Sequence, residues 1–191
     1  RVLFRSIGII NFNKSSPKLL IESLVELHYR IIMINSDQPY YELVSQFSHI
    51  SHWILVGDDF HLYNKSKPLL DMELFTLDKH FLLTSYLMNG FLQNKGMTIK
   101  GGESTDYIGE INICTTKHDL FDTLPKKMNV YRKHKHYFKE GHDHLEILNT
   151  HKKQIMTAIY SDETTKNPII LLQWQPEKTT HGIIFLNNWI H

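Results

Sequence analysis

Apolar residues gather along the first half of the chain in short runs that alternate with segments of helical spacing. Residues 6–12 (SIGIINF), 30–35 (RIIMIN), 52–57 (HWILVG) and 80–85 (HFLLTS) are compact apolar runs, the pattern of strands buried on both faces of a parallel sheet. Between them, residues 16–28 (SPKLLIESLVELH) place Leu20, Leu24 and Leu27 at i, i+4 and i+7 on one helical face, with Ser16 as the expected N-cap and Pro17 at the first helical position. Residues 39–47 (PYYELVSQF) predict a short helix, and 86–96 (YLMNGFLQNKG) another, closed by Gly96. Such βαβ alternation implies a parallel sheet with helices on both faces, whose sites collect at the carboxyl ends of the strands. Gly57, Ser85 and Gln175 occupy such ends.

The second half changes character. MTIK, DYIGEINIC, MNVYRK, LEILNT, QIMTAIYS and IILLQW are short strand-like runs with few helical gaps, which predicts an antiparallel extension before the chain returns to the main sheet. Residues 179–191 (TTHGIIFLNNWIH) then close as a helix. No repeat, low-complexity tract or Pro/Gly/Ser linker interrupts the chain, so residues 1–191 read as a single domain. Trp53 and Trp174 are expected in the core, and Cys114 is expected to be a buried small hydrophobe.

Composition narrows the classes. The chain is 41% hydrophobic and 12% aromatic, as expected of a globular domain. A formal net charge of +1 gives no reason to expect nucleic acid or an anionic membrane as partner, and no apolar run approaches the ~20 residues that span a bilayer. One cysteine excludes an intrachain disulfide and points to a reducing, cytoplasmic compartment. The first residues lack a secretory cleavage pattern, and a chain that opens on Arg reads as a trimmed or excised segment. Abundant Asn, Lys and Ile fit an AT-rich genome, viral or parasitic.

Candidate chemistry lies in the order of a few motifs: LVGDDF after the third strand, LLTSYLMNG at the strand-to-helix elbow, TDYIGEINI, LFDTLPKKMNVYRKH with His134 at its end, LEILNT, and finally QWQPEK. Alone, QPEK reads as an ordinary helix entry. In this order the motifs resemble the class I (triad-type) glutamine amidotransferases, over nearly the whole length, and within them the glutaminase domain of GMP synthase. The resemblance implies a flavodoxin-like, open, mostly parallel α/β sheet with helices on both faces plus an antiparallel extension. It also implies where the catalytic machinery should lie. Ser85 stands where such enzymes have the nucleophilic cysteine, in Gly-x-Cys-x-Gly-x-Gln, while Leu87 and Asn89 replace the following Gly and Gln. Gln175 stands at the base position of His-x-Glu, while Glu177 is kept. Gly57, Asp58 and Tyr86 occupy the oxyanion-hole positions, Asp58 and Asp59 replacing the Gly-Pro of Gly-Gly-Pro.

These replacements argue against glutamine hydrolysis. An amide accepts no proton near neutral pH, and a serine hydroxyl is a poor nucleophile without a base. Carboxylates beside a developing oxyanion oppose a site where each donor is worth about 3 kcal/mol. The bland reading of Ser85 is a buried or capping serine, and His181, on the closing helix, is expected too far along to replace the base. The expectation is a degenerate triad (Ser85, Gln175, Glu177) in a pseudoenzyme with a binding, regulatory or structural role, acting through a protein partner or self-association and needing no cofactor. The alternatives are a serine-dependent amidase or glutaminase using Ser85, and a metal-binding protein. For the latter, HKHYFKEGHDH offers His134, His136, His142 and His144 as candidate ligands, against the reading of an exposed polar loop. The basic-aromatic YRKHKHYFK reads as a solvated loop face.

Overall fold

The computed structural model describes residues 5–57, 70–101, 108–134, 136–139 and 141–191. The chain runs β1 (Ser6–Asn11), α1 (Lys18–Glu26), β2 (Arg30–Asn35), α2 (Tyr40–Gln46), β3 (His52–Val56), β4 (His80–Thr84) and α3 (Tyr86–Asn94). There follow β5 (Lys100–Gly101), β6 (Ile108–Cys114), β7 (Lys127–Lys133), β8 (His136–Tyr137), β9 (Leu145–His151), β10 (Gln154–Tyr160), β11 (Ile169–Leu172) and α4 (Thr180–Ile190). A seven-stranded sheet takes the order β2-β1-β3-β4-β11-β10-β9. Its first five strands are parallel, and β10 and β9 extend it antiparallel. Two small antiparallel pairs, β6–β7 and β5–β8, lie outside it. This is the expected α/β architecture, flavodoxin-like with an antiparallel extension.

Alternation along the strands builds the core. On β3, Trp53 and Leu55 face one apolar layer, with Val44 of α2 and Phe91 of α3, while Ile54 and Val56 face another, with Leu20 and Leu24 of α1 and Phe185 of α4. Strands covered on both sides cannot alternate apolar with polar, which is why they appear in the sequence as continuous apolar runs. Gly8 is required where it stands: a Cβ there would fall within the Trp53 ring of the adjacent strand.

Three local expectations need correction. Ser16 does not cap α1: Pro17 is the N-cap residue, with no side-chain cap bond, and Ser16 contributes its carbonyl to the Lys18 N–H at 2.9 Å. The β1–α1 turn is instead gathered by buried Asn11, whose Nδ2 donates to the Asn13 and Ser15 carbonyls at 3.2 and 3.1 Å and whose Oδ1 accepts from the Asn13 N–H at 3.1 Å. Cys114 is exposed, because the β6 alternation turns Ile113 inward and Cys114 outward. In the apolar run ending QW the strand itself ends at Leu172, with one more backbone bond from the Gln173 N–H to the Met156 carbonyl of β10 at 2.8 Å, and Trp174 beyond it is wholly buried with its indole N–H on Thr157 Oγ1 at 3.0 Å. Among the described residues no helix is long and apolar enough to cross a membrane.

Candidate functional site

β4 ends one residue before Ser85, and α3 begins one residue after it. The turn between them forces Ser85 to φ 49° and ψ −119°, a region that L-residues rarely occupy. Its N–H is held by the Leu172 carbonyl at 2.7 Å, and Gln173 Nε2 donates to its carbonyl at 3.4 Å, so β11 fixes the elbow from the side. The side chain is wholly buried, and Oγ has no hydrogen-bond partner among the described residues. Leu87 and Met88 follow into the core layer that contains Phe91, and buried Asn89 donates through Nδ2 to the His136 carbonyl at 3.2 Å.

The resemblance implies Tyr86 at an oxyanion-hole position, where its backbone N–H would be the donor. That N–H donates to the Gly57 carbonyl at 3.2 Å. On that expectation, the Gly57 carbonyl is an acceptor where an anion would need donors. Asp58, expected at the same position, lies outside the described residues, as does Asp59.

Gln175 sits just before the short 3-10 turn at Pro176–Lys178. It makes an isolated antiparallel bridge to Tyr131 of β7, its N–H on the Tyr131 carbonyl at 2.8 Å, and it is buried. Gly182 permits the next turn, since a Cβ there would collide with the backbone of Pro176. Glu177 is half-buried and lines a polar cavity of about 200 Å³ with Asn13, Lys18, Gly57, Thr84 and Gln175. This cavity lies at the carboxyl ends of β1 and β3, where the strand order reverses. Ser85 is not among its walls. His181 is committed elsewhere: its Nδ1 accepts the Asn129 N–H at 2.8 Å, tying α4 to β7.

The histidines of 134–144 do not gather. His134 is buried and donates through Nδ1 to the His136 carbonyl at 3.1 Å, which fixes its tautomer and removes that nitrogen as a ligand. Burial, with the Arg132 charge nearby, pushes its pKa down to about 3. His142 and His144 lie side by side with ring centroids 5.5 Å apart, near Tyr160. Among the described residues no group of three or more His, Cys, Asp or Glu side chains is placed to hold a metal ion.

The chain is 29% identical over 178 residues to a glutamine-hydrolysing GMP synthase of Borreliella burgdorferi strain N40, a match covering 92% of this chain. A Thermoplasma acidophilum protein assigned as a GMP synthase subunit has the same fold, with a TM-score of 0.78 at 15% identity over 100% of this chain and 94% of that one. The fold is that of the glutamine amidotransferases. A glutamine amidotransferase of Thermotoga maritima shares the fold, with a TM-score of 0.65 at 14% identity, over 97% of this chain and 80% of the other. The chain spans about a third (33%) of the length of the curated GMP synthase relatives it matches. No protein-family model matches it.

The sequence located Ser85 at the elbow, Gln175 and Glu177 at the turn before the last helix, and Gly57 and Tyr86 beside one another. It carried no sign that Tyr86 N–H is taken by Gly57, because that bond depends on the orientation of one peptide rather than on a side chain. Nor did it reveal Asn11, whose role depends on loop geometry; an Asn at a strand end before Asn13 and Ser15 is the cue that was available.

Proposed function

We propose that this amidotransferase-like chain is a pseudoenzyme that does not hydrolyse glutamine and that serves a binding, regulatory or structural role through a protein partner or a second copy of itself. The observation that carries the reading is the pairing of a buried Ser85 hydroxyl, without a hydrogen-bond partner among the described residues, with an amide at the base position, Gln175. A hydroxyl becomes a useful nucleophile when a base takes its proton as it attacks. His181, whose Nδ1 is held by the Asn129 N–H, supplies no substitute. The Gly57 carbonyl on the Tyr86 N–H adds to this, because a tetrahedral intermediate would first have to displace it.

The test is ammonia release from glutamine at millimolar concentration by the purified chain. The expected rate equals the background without protein, unchanged by Ser85→Ala. Turnover abolished by that substitution would defeat the proposal. A Ser85-dependent amidase is the second reading, favoured by one observation: the strained elbow conformation persists at φ 49°. A glutamine-like diazo-ketone distinguishes the two, since covalent labelling of Ser85 belongs to the second reading alone.

A further inference from the structure

At the opposite end of the sheet from the elbow, the amino ends of β1, β3, β4 and β11 and the last turn of α4 surround an open cavity of about 990 Å³. Five of the chain's 13 histidines line it: His49, His52, His80, His118 and His191. Arg5 joins them, and Glu146 is a carboxylate on the same wall. The imidazoles are arranged rather than scattered. His52 and His80 stack with centroids 4.7 Å apart and planes 21° from parallel, and the Trp189 ring meets His52 edge-on at 5.0 Å. Arg5 Nη1 donates to the Ile190 carbonyl at 3.2 Å and lies 3.1 Å from His191 Nδ1, which anchors the guanidinium at the rim. Ser51 Oγ lies 2.8 Å from His52 Nδ1.

Polar and apolar groups share this lining about equally, so it can hold a ligand that has both an apolar and a charged part, and its volume is at the upper end of about 300–1,000 Å³ typical of small-molecule sites. The cluster of flat rings formed by His52, His80 and Trp189 in the wall favours a flat ligand. Imidazole and guanidinium donors favour an anionic group on that ligand. Metal chemistry is not favoured, since no three ligating side chains converge among the described residues.

We propose that this cavity binds a small organic anion in which a planar ring carries a carboxylate or phosphate group, the ring lying against His52 and Trp189 and the anionic group meeting Arg5 and the exposed imidazoles. The His52 imidazole faces His80 from β4, Arg5 before β1 and His191 after α4, with His49, His118 and Glu146 on the surrounding walls. Burial first, then the charges of His80, Arg5 and His191, holds its pKa down to about 4. A bound anion offsets those like charges though not the burial, and where the charge effect prevails binding takes up protons. Affinity then increases as pH falls.

Titration calorimetry of the full chain with phenyl phosphate and benzoate, with inorganic phosphate and benzyl alcohol as controls, tests this and tells a phosphate from a carboxylate ligand. One ring anion is expected to bind at a single site, about tenfold more tightly at pH 5.5 than at pH 8, and more tightly than either control. Arg5→Gln or His80→Gln is expected to weaken it about tenfold. Nuclear magnetic resonance of the unsubstituted chain, with phenyl phosphate added, is expected to shift the His52 and His80 ring signals whether or not the variants fold. The proposal is overturned if neither ring anion saturates below about 10 mM, if inorganic phosphate binds equally well, or if the ring signals stay in place.

Discussion

The backbone of Ser85 sits at positive φ with a negative ψ, where a β-carbon is strained by about 1–3 kcal/mol, and its hydroxyl is buried without a partner among the described residues. Both terms raise the energy of the folded state. Glycine removes the strain and the hydroxyl together, so Ser85→Gly is expected to raise the unfolding free energy by about 1 kcal/mol, after its greater unfolded-state entropy is subtracted. Ser85→Ala, which keeps the β-carbon, should gain less. Denaturant unfolding of the three proteins checks the order; a loss of stability in Ser85→Gly would mean that the hydroxyl has an unrecognised acceptor. The position of the elbow was legible from the apolar run and the motif order. The strain was not, because Ser85 is an ordinary residue for a helix entry and only the neighbouring strand forces its torsion. His134 makes a second prediction at this scale. Its pKa is lowered to about 3 from an ordinary value of 6.5, so the unfolded chain binds more protons between those values. Stability is thus fully present above about pH 6.5 and falls toward pH 3, by about 1.4 kcal/mol per pH unit for one such group. His134→Gln should flatten that slope in urea titrations, whatever it costs at neutral pH.

Elements are joined by contacts between residues far apart in the chain. The β10–β11 connection is pinned to the end of α3 by Asp162. Its Oδ2 accepts from Lys95 Nζ at 2.6 Å and from Tyr160 OH at 2.7 Å, and its Oδ1 accepts from the Thr164 and Thr165 N–H groups at 2.9 and 3.0 Å. Burial alone would raise the Asp162 pKa, but the bonds from Lys95, Tyr160 and Thr164 outweigh it and hold the carboxyl well below the usual carboxylate range. A depressed folded-state pKa contributes stability above the unfolded value near pH 4, and that contribution disappears as acid titrates the folded carboxylate. Asp162→Asn should therefore cost about 2 kcal/mol at pH 7, with the difference from the unsubstituted chain shrinking below about pH 4. Chemical unfolding at the two pH values reads this directly. Hydrophobic period predicted α3 and β10 separately, because period is a local property; nothing in it pairs Lys95 with a residue 67 positions later. The same reason separates Lys79 from its role. Buried Lys79 donates to the Phe47, Ser48 and Ile50 carbonyls beyond α2, and its neighbour in sequence belongs to another element.

At the scale of the whole molecule, the sheet brings Gly57, Ser85 and Gln175 to one end because β3, β4 and β11 are parallel neighbours. Their convergence follows from the fold class, and so it was readable once the alternation of strands and helices was recognised. Whether the converged groups form a working site depends on two features that the fold class leaves open: the peptide orientation at Gly57 and the packing around the elbow. Replacing Ser85 by Cys and Gln175 by His supplies the side chains that the resemblance implies for a triad but changes neither feature. The Gly57 carbonyl still occupies the Tyr86 N–H, and Leu87 still fills the buried position that resembles a glycine in active amidotransferases. The new imidazole would enter a buried position fixed by the Tyr131 bridge, where desolvation lowers its pKa and leaves it a weaker base. Losing a single oxyanion donor costs roughly 10²–10³ in turnover, so the double variant S85C/Q175H is expected to release ammonia from glutamine no faster than about a thousandth of a typical enzyme rate. Adding Leu87→Gly should be needed before a diazo-ketone labels the introduced thiol. Efficient turnover by S85C/Q175H alone would mean that the Gly57 peptide reorients freely when substrate arrives, and that the proposed inactivity of this chain rests on the side chains at positions 85 and 175 and not on the shape of the site around them.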